Sequence, residues 1–222
     1  MKLPDERAIG TNGKGARAEQ TARRTRIQAE NSEKILAAAL EVFSTDGFRG
    51  ATIDRIAETA GMSKPNLLYY FRSKDEIYRA LLDRLLETWL QPLHGLDPDG
   101  DPFSEVAAYI DRKIEMARDY PRESRLFAGE IMRGAPILGD VLAGPLKALV
   151  DEKSKVLTAW AKAGKIAPLD PRHLIFAIWA TTQHYADFDA QVRAVLGDGG
   201  EGRFADAAYS LKRLFMDGLR PR

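Results

Sequence analysis

The chain has 222 residues, 45% of them hydrophobic and 29% charged, with a formal net charge of +1 and no cysteine. This is the balance of a globular protein of one or two domains; disulfides and thiolate metal sites are excluded, and no apolar run approaches the roughly 20 residues that span a bilayer. The opening "MKLPDERAIGTNGKG" lacks the apolar stretch of a secretory leader, so a reducing cytoplasm is the expected compartment and no membrane partner is expected.

Charge is unevenly spread. Residues 1–79 hold 14 Lys+Arg against 11 Asp+Glu, the remainder 19 against 21. Near the start, Lys14, Arg17, Arg23, Arg24 and Arg26 face only Glu19, in a stretch rich in Gly, Ala and Thr without helical or strand periodicity. Residues 1–30 therefore read as a flexible basic arm suited to phosphate contact.

Beyond the arm, helical periodicity dominates and no alternating strand pattern appears, so the fold class is all-α. Ser32 is the expected N-cap of a first helix that carries Ile35, Leu36, Ala39, Val42 and Phe43 on one face and ends at Gly47. Thr52 caps a second, with Ile53, Ile56, Ala57 and Ala60 at helical spacing before Gly61. Ser63 caps a short third, with Pro65 in its first turn. Ser73, followed by Asp75 and Glu76, opens a fourth that bears Leu81, Leu82, Leu85, Leu86 and Trp89 and is expected to stop at Pro92.

After the loop composition of "HGLDPDGDP", helical stretches are expected near 103–119, 122–133, 137–163, 171–189 and 201–218, the third broken or kinked at Gly144 and Pro145. A small helical domain over 31–78 thus precedes a larger helical body over 79–222.

A capped helix, a tight turn at Gly61 and Met62, and a short second helix make a helix-turn-helix, in which the short helix enters the major groove of DNA. The first turn of that helix is polar: Ser63, Lys64 and Asn66 can reach phosphates or base edges, and an Asn amide pairs bidentately with adenine. The stretch "LLYYF" divides between core and surface. Phe71, with Leu67 or Leu68, fills the core, while a hydroxyl of Tyr69 or Tyr70 reaches a phosphate. Lys74, at the start of the fourth helix, is placed to clamp another. With Arg49 and Thr52 beside the motif, the expected DNA-contacting set is Arg49, Thr52, Ser63, Lys64, Asn66, Tyr69, Tyr70 and Lys74.

In the body, Trp179 and Gln183 lie four apart and share a helix face. Trp supplies a flat wall, and Gln an amide that complements the N–H and C=O edge of a pyrimidine base such as uracil or thymine; Trp89 would form a second wall. By spacing alone, two such tryptophans are more often core. Catalysis finds no support: His94, His173 and His184 lack metal-ligand spacing, and "GKGARA" lacks the strand a dinucleotide fingerprint needs. Neither catalytic residues nor a metal or cofactor is expected, and the chain reads as a binding protein, not an enzyme.

The run "ILAAALEVFSTDGFRGATIDRIAETAGMSKPNLLYYFRSKDEIYRALL" resembles the DNA-binding domain of the TetR family of bacterial one-component regulators. The likeness extends through "WLQPL", "RDYPRESRLF", "LKALVDEKS", "GKIAPLDPRHLIFAIWATTQHYADF" and "GLRPR" to the pyrimidine-utilisation branch of that family. It implies a homodimer reading a palindromic operator and a small-molecule effector in the C-terminal body. It also implies repression relieved by that effector, with Trp89, Trp179 and Gln183 lining a uracil or thymine site. A different small planar ligand is the alternative within the family; a helical enzyme or carrier is the alternative outside it. The dimer is expected through the last two long helices, by way of Leu174, Ile178, Tyr209, Leu211, Leu214 and Phe215.

Overall fold

The computed structural model describes residues 12–197, 200 and 202–221, and every regular element among them is helical. The chain divides into two compact units, Met1–Tyr78 and Arg79–Arg222.

The first unit opens with α1 (Asn12–Gly50), which leaves helical geometry at Gly47, where φ is 66°. The basic arm expected over 1–30 therefore divides: residues 1–11 lie outside the described residues, and 12–30 belong to α1. Ser32 is consequently inside the helix and not its cap. The physical reason is that Ala, Arg, Gln and Glu extend an existing helix at little cost once it is nucleated, even without an apolar face to bury. Arg26 and Glu30 add an i,i+4 ion pair at 3.5 Å.

α2 (Ile53–Thr59) is capped by Thr52, whose hydroxyl accepts from the Arg55 N–H, and α3 (Lys64–Tyr70) by Ser63, which accepts from the Asn66 N–H. Between them Gly61 takes φ 66°, a left-handed conformation that any Cβ would strain. Ile35, Phe43, Ile56, Leu67, Ile77 and Tyr78 are almost fully buried. Burial of each such side chain is worth about 1.5–3 kcal/mol. Phe43, Phe48 and Tyr78 meet ring to ring within 5.9 Å, so the core of this small unit is closed by aromatics.

α4 (Lys74–His94) begins in the first unit and continues in the second. It passes through Pro92, where a stop was expected. Pro92 removes one N–H in the last turn, and Gly95 still donates to Gln91 O, so the helix closes at His94, two residues later than the proline alone suggests.

In the second unit follow α5 (Pro102–Asp119), α6 (Pro121–Met132), the single turn α7 (Gly139–Val141) and a π-helical turn (Leu142–Leu146). Then come α8 (Lys147–Lys162), α9 (Pro171–Asp187), α10 (Asp189–Leu196) and α11 (Gly202–Leu219). The π turn occupies the site of the expected break, since Pro145 has no N–H to give and the backbone widens around it. α10 was not foreseen as a separate helix; the chain bends at Phe188 (φ −114°) and starts again.

α5 packs against α6, α9 and α11, and its stripe Val106, Tyr109, Ile110, Ile114 and Ala117 is buried. Ile178 and Leu211, expected at a dimer surface, are instead 2% and 9% exposed in this core, and Leu174 and Phe215 pack against it. Tyr209 and Leu214 remain exposed. Among the described residues no helix is long and apolar enough to cross a membrane.

Candidate DNA-binding and ligand-binding sites

α3 displays the polar turn that its sequence announces. Lys64 and Asn66 are exposed, as are Arg49 and Thr52. Lys64 Nζ lies 2.9 Å from Asp54 on α2, and Arg55 Nε 3.0 Å from Asp46 on α1, so surface ion pairs brace the two short helices against each other and against α1. The two tyrosines differ. Tyr69 is 69% exposed, whereas the Tyr70 hydroxyl accepts a 2.7 Å hydrogen bond from Asn31 Nδ2 on α1.

Lys74 has an internal task. Its ammonium donates to Phe48 O at 2.7 Å and Ala51 O at 2.9 Å and sits 4.6 Å from the centre of the Phe48 ring. It ties the start of α4 to the end of α1, where helix-terminal carbonyls lack partners. Lys74 is thus a strut with two of its three protons placed on protein carbonyls, and the phosphate contact expected of it would use the third. Asn31 and this use of Lys74 left no mark in the sequence, because both depend on contacts between residues more than twenty positions apart.

In the second unit, Trp89, Trp179 and Gln183 line one cavity, together with Leu86, Leu90, Lys113, Phe127 and Leu146. Residues 90 positions apart in sequence meet here because α4, α5 and α9 each turn their inner face to it. The cavity measures about 30 Å³, room for one or two water molecules. A planar six-membered ring fits only when these side chains move apart.

The walls are held by specific contacts. The Trp179 indole N–H donates to the Tyr109 hydroxyl at 2.6 Å, and Trp89 meets Tyr120 edge-on at 6.3 Å. Burial pushes the Tyr109 hydroxyl well above its ordinary pKa, so it stays protonated. The Trp89 N–H is buried and has no acceptor among the described residues. The Gln183 amide makes no hydrogen bond to another described residue, so its donors and its acceptor stand available.

Lys113, which sequence reasoning missed, is the charged member of the lining. It is 3% exposed, and its ammonium lies 5.4 Å from the centre of the Trp89 ring. Burial brings its pKa down to about 7, opposed by the Asp187 carboxylate. Asp187 is raised by its own partial burial; it accepts a 2.6 Å hydrogen bond from the Ser124 hydroxyl and feels Arg125, Lys113 and His184. A sequence signal existed: in the stripe Val106, Tyr109, Ile110, Ile114, Ala117, position 113 belongs to the buried face, and a lysine there breaks the pattern. Among the described residues no group of three His, Asp or Glu side chains is arranged to hold a metal ion.

A helix-turn-helix unit joined by a long helix to an all-helical body with a buried apolar cavity defines a ligand-responsive transcription regulator. Residues 35–81 match the family model for bacterial regulatory proteins of the tetR family, and residues 82–222 the model for the C-terminal region of YcdC-like proteins. The chain belongs to the TetR family. It is 49% identical over 204 residues to the HTH-type transcriptional regulator RutR of Escherichia coli strain K12, covering 91% of this chain and 96% of that one. Its fold is also that of a transcriptional regulator from Streptomyces coelicolor (TM-score 0.68, 23% identity, 86% of this chain and 98% of that one). AibR, solved with isovaleryl coenzyme A and operator DNA, shares it too (TM-score 0.64, 16% identity, 83% and 97%).

Proposed function

We propose that this protein is a homodimeric repressor that binds a palindromic operator and is released from it by a pyrimidine base, uracil or thymine, in the cytoplasm. The observation that carries the reading is the convergence of Trp89, Trp179 and Gln183 on one cavity. Two indoles are suited to hold a planar ring, and a free amide to pair with its N–H and C=O edge. The resemblance of the sequence to pyrimidine-utilisation regulators of the family points to the same three residues.

On the DNA side, Asn66 is the base reader, supported by its exposed position in the first turn of α3. Arg49, Thr52, Ser63, Lys64 and Tyr69 supply phosphate contacts; Tyr70 and Lys74 act chiefly by holding α3 and α4 in place. The dimer forms through α9 and α11, a reading supported by Phe176 of α9 and Tyr209 and Leu214 of α11, large apolar side chains that are 48%, 67% and 64% exposed.

Calorimetric titration of the purified protein with uracil, thymine and adenine tests the ligand. The expected result is saturable binding of uracil or thymine at one site per chain and none of adenine. Absence of binding by both pyrimidines overturns the reading.

A further inference from the structure

Gln183 reads only part of a pyrimidine. A 2,4-dioxo ring presents three groups in a row on one edge: carbonyl, N–H, carbonyl. One amide pairs with the N–H and a single carbonyl, by its oxygen and its nitrogen respectively. The second carbonyl then needs a donor from elsewhere in the lining. Two donors of the lining have no acceptor among the described residues: the Trp89 N–H, which lies in the plane of an indole whose face is to stack on the base, and Lys113, whose ammonium can turn to the edge of the ring. No described residue accepts a hydrogen bond from its ammonium, which lies over the face of Trp89.

We propose that Lys113 is the specificity-determining residue of the cavity, donating to the second ring carbonyl so that 2,4-dioxo pyrimidines are preferred to rings with a single carbonyl. The inference rests on the pyrimidine reading of the cavity. Lys113 and Gln183 together offer donor, acceptor, donor, the complement of the dioxo edge. A ring with a single carbonyl beside its N–H, such as 4(3H)-pyrimidinone, satisfies the Gln183 amide but leaves the lysine donor facing a C–H, without an acceptor.

A protonation signature follows from the surroundings of Lys113. From α9 the Asp187 carboxylate favours the ammonium; it is shared with the Ser124 hydroxyl and Arg125 of α6 and with His184 of α9. On α5 itself, Asp111 is engaged by Lys212 of α11, and Arg112 is paired with Glu115. The α4 face at the cavity is apolar, formed by Leu86, Trp89 and Leu90. With burial holding its pKa near 7, Lys113 is about half protonated at neutral pH in the free protein. A carbonyl that accepts from the ammonium raises that pKa, so uracil binding takes up a proton. Affinity is then level below pH 7 and falls as pH rises above it.

The test is calorimetry of the full chain and of Lys113→Met with uracil and with 4(3H)-pyrimidinone, which lacks the second carbonyl, from pH 6 to pH 9. Met keeps the length of the side chain and removes a charge whose burial is unfavourable, so the variant should melt no lower than wild type. Expected are uracil binding that weakens from pH 7 to pH 9 in wild type, and a roughly 10- to 100-fold loss in Lys113→Met with the pH dependence gone. The preference for uracil over 4(3H)-pyrimidinone should also narrow. Equal uracil affinity in both proteins, equal binding of uracil and 4(3H)-pyrimidinone by wild type, or a flat wild-type pH profile overturns the role of Lys113 while leaving the pyrimidine reading intact. Failure of wild type to bind uracil at any pH overturns both.

Discussion

Two lysines show how far a side chain's environment sets its role. Lys74 spends its ammonium on the carbonyls of Phe48 and Ala51. Lys74→Met should therefore lower the unfolding free energy by about 1–3 kcal/mol, because two helix-terminal carbonyls lose a charged donor; a denaturant titration measures it, and an unchanged midpoint would show that water substitutes freely. Lys113 behaves in the opposite sense. Its pKa is lowered on folding, so between about pH 7 and its ordinary value near 10.5 the unfolded chain binds more protons than the folded one, and stability rises with pH across that window. Wild type should gain about 2 kcal/mol from pH 7 to pH 9 relative to Lys113→Met. At the DNA face, Asn66→Ala should relax preference at a single operator position by roughly 1–3 kcal/mol without a uniform loss of affinity. Binding selections on an operator library check this, and an unaltered preference would remove Asn66 from the readout.

Helices carry these residues with different degrees of independence. α2 and α3 were legible because their signals are local: Thr52, Ser63 and Gly61 are caps and a turn whose effect needs no distant partner. The convergence of Trp89, Trp179 and Gln183 was legible from residue chemistry together with family resemblance, since by spacing alone such tryptophans are more often core. What stayed hidden was set by packing across the fold. The start of α1 depends on propagation from a helix nucleated further on, α10 on a bend at Phe188, and the burial of Ile178 and Leu211 on which face of α9 and α11 meets α5. The dimer prediction changes accordingly. Leu214→Glu, at an exposed position, should leave the fold intact yet shift the protein from dimer to monomer at micromolar concentration. Sedimentation velocity reads this out. A Leu214→Glu dimer as stable as wild type would place the interface elsewhere.

For the molecule as a whole, α4 is the element that belongs to both units: Lys74 anchors its first turn beside α1, and Trp89, five turns of sequence away at most, lines the cavity. On the proposed function, a ring that parts Trp89 from Trp179 displaces α4, and the displacement alters the spacing of the two α3 helices in the dimer. Coupling of this kind is typically about 1–3 kcal/mol, roughly 5- to 150-fold in affinity, and it is reciprocal: operator DNA must weaken pyrimidine binding by the same factor that pyrimidine weakens operator binding. Calorimetry with and without saturating operator checks the equality. The central claim, that a pyrimidine held by this cavity releases the operator, meets its most direct test in a uracil titration of wild type and Gln183→Leu bound to an operator selected from random-sequence DNA. Leu keeps the bulk and deletes the amide, leaving the polar edge of the base unpaired at about 1–3 kcal/mol. The account predicts release of wild type and a release curve for Gln183→Leu displaced roughly 5- to 150-fold to higher uracil. Release of both at the same concentration would contradict the role of Gln183, and release of neither would contradict the ligand.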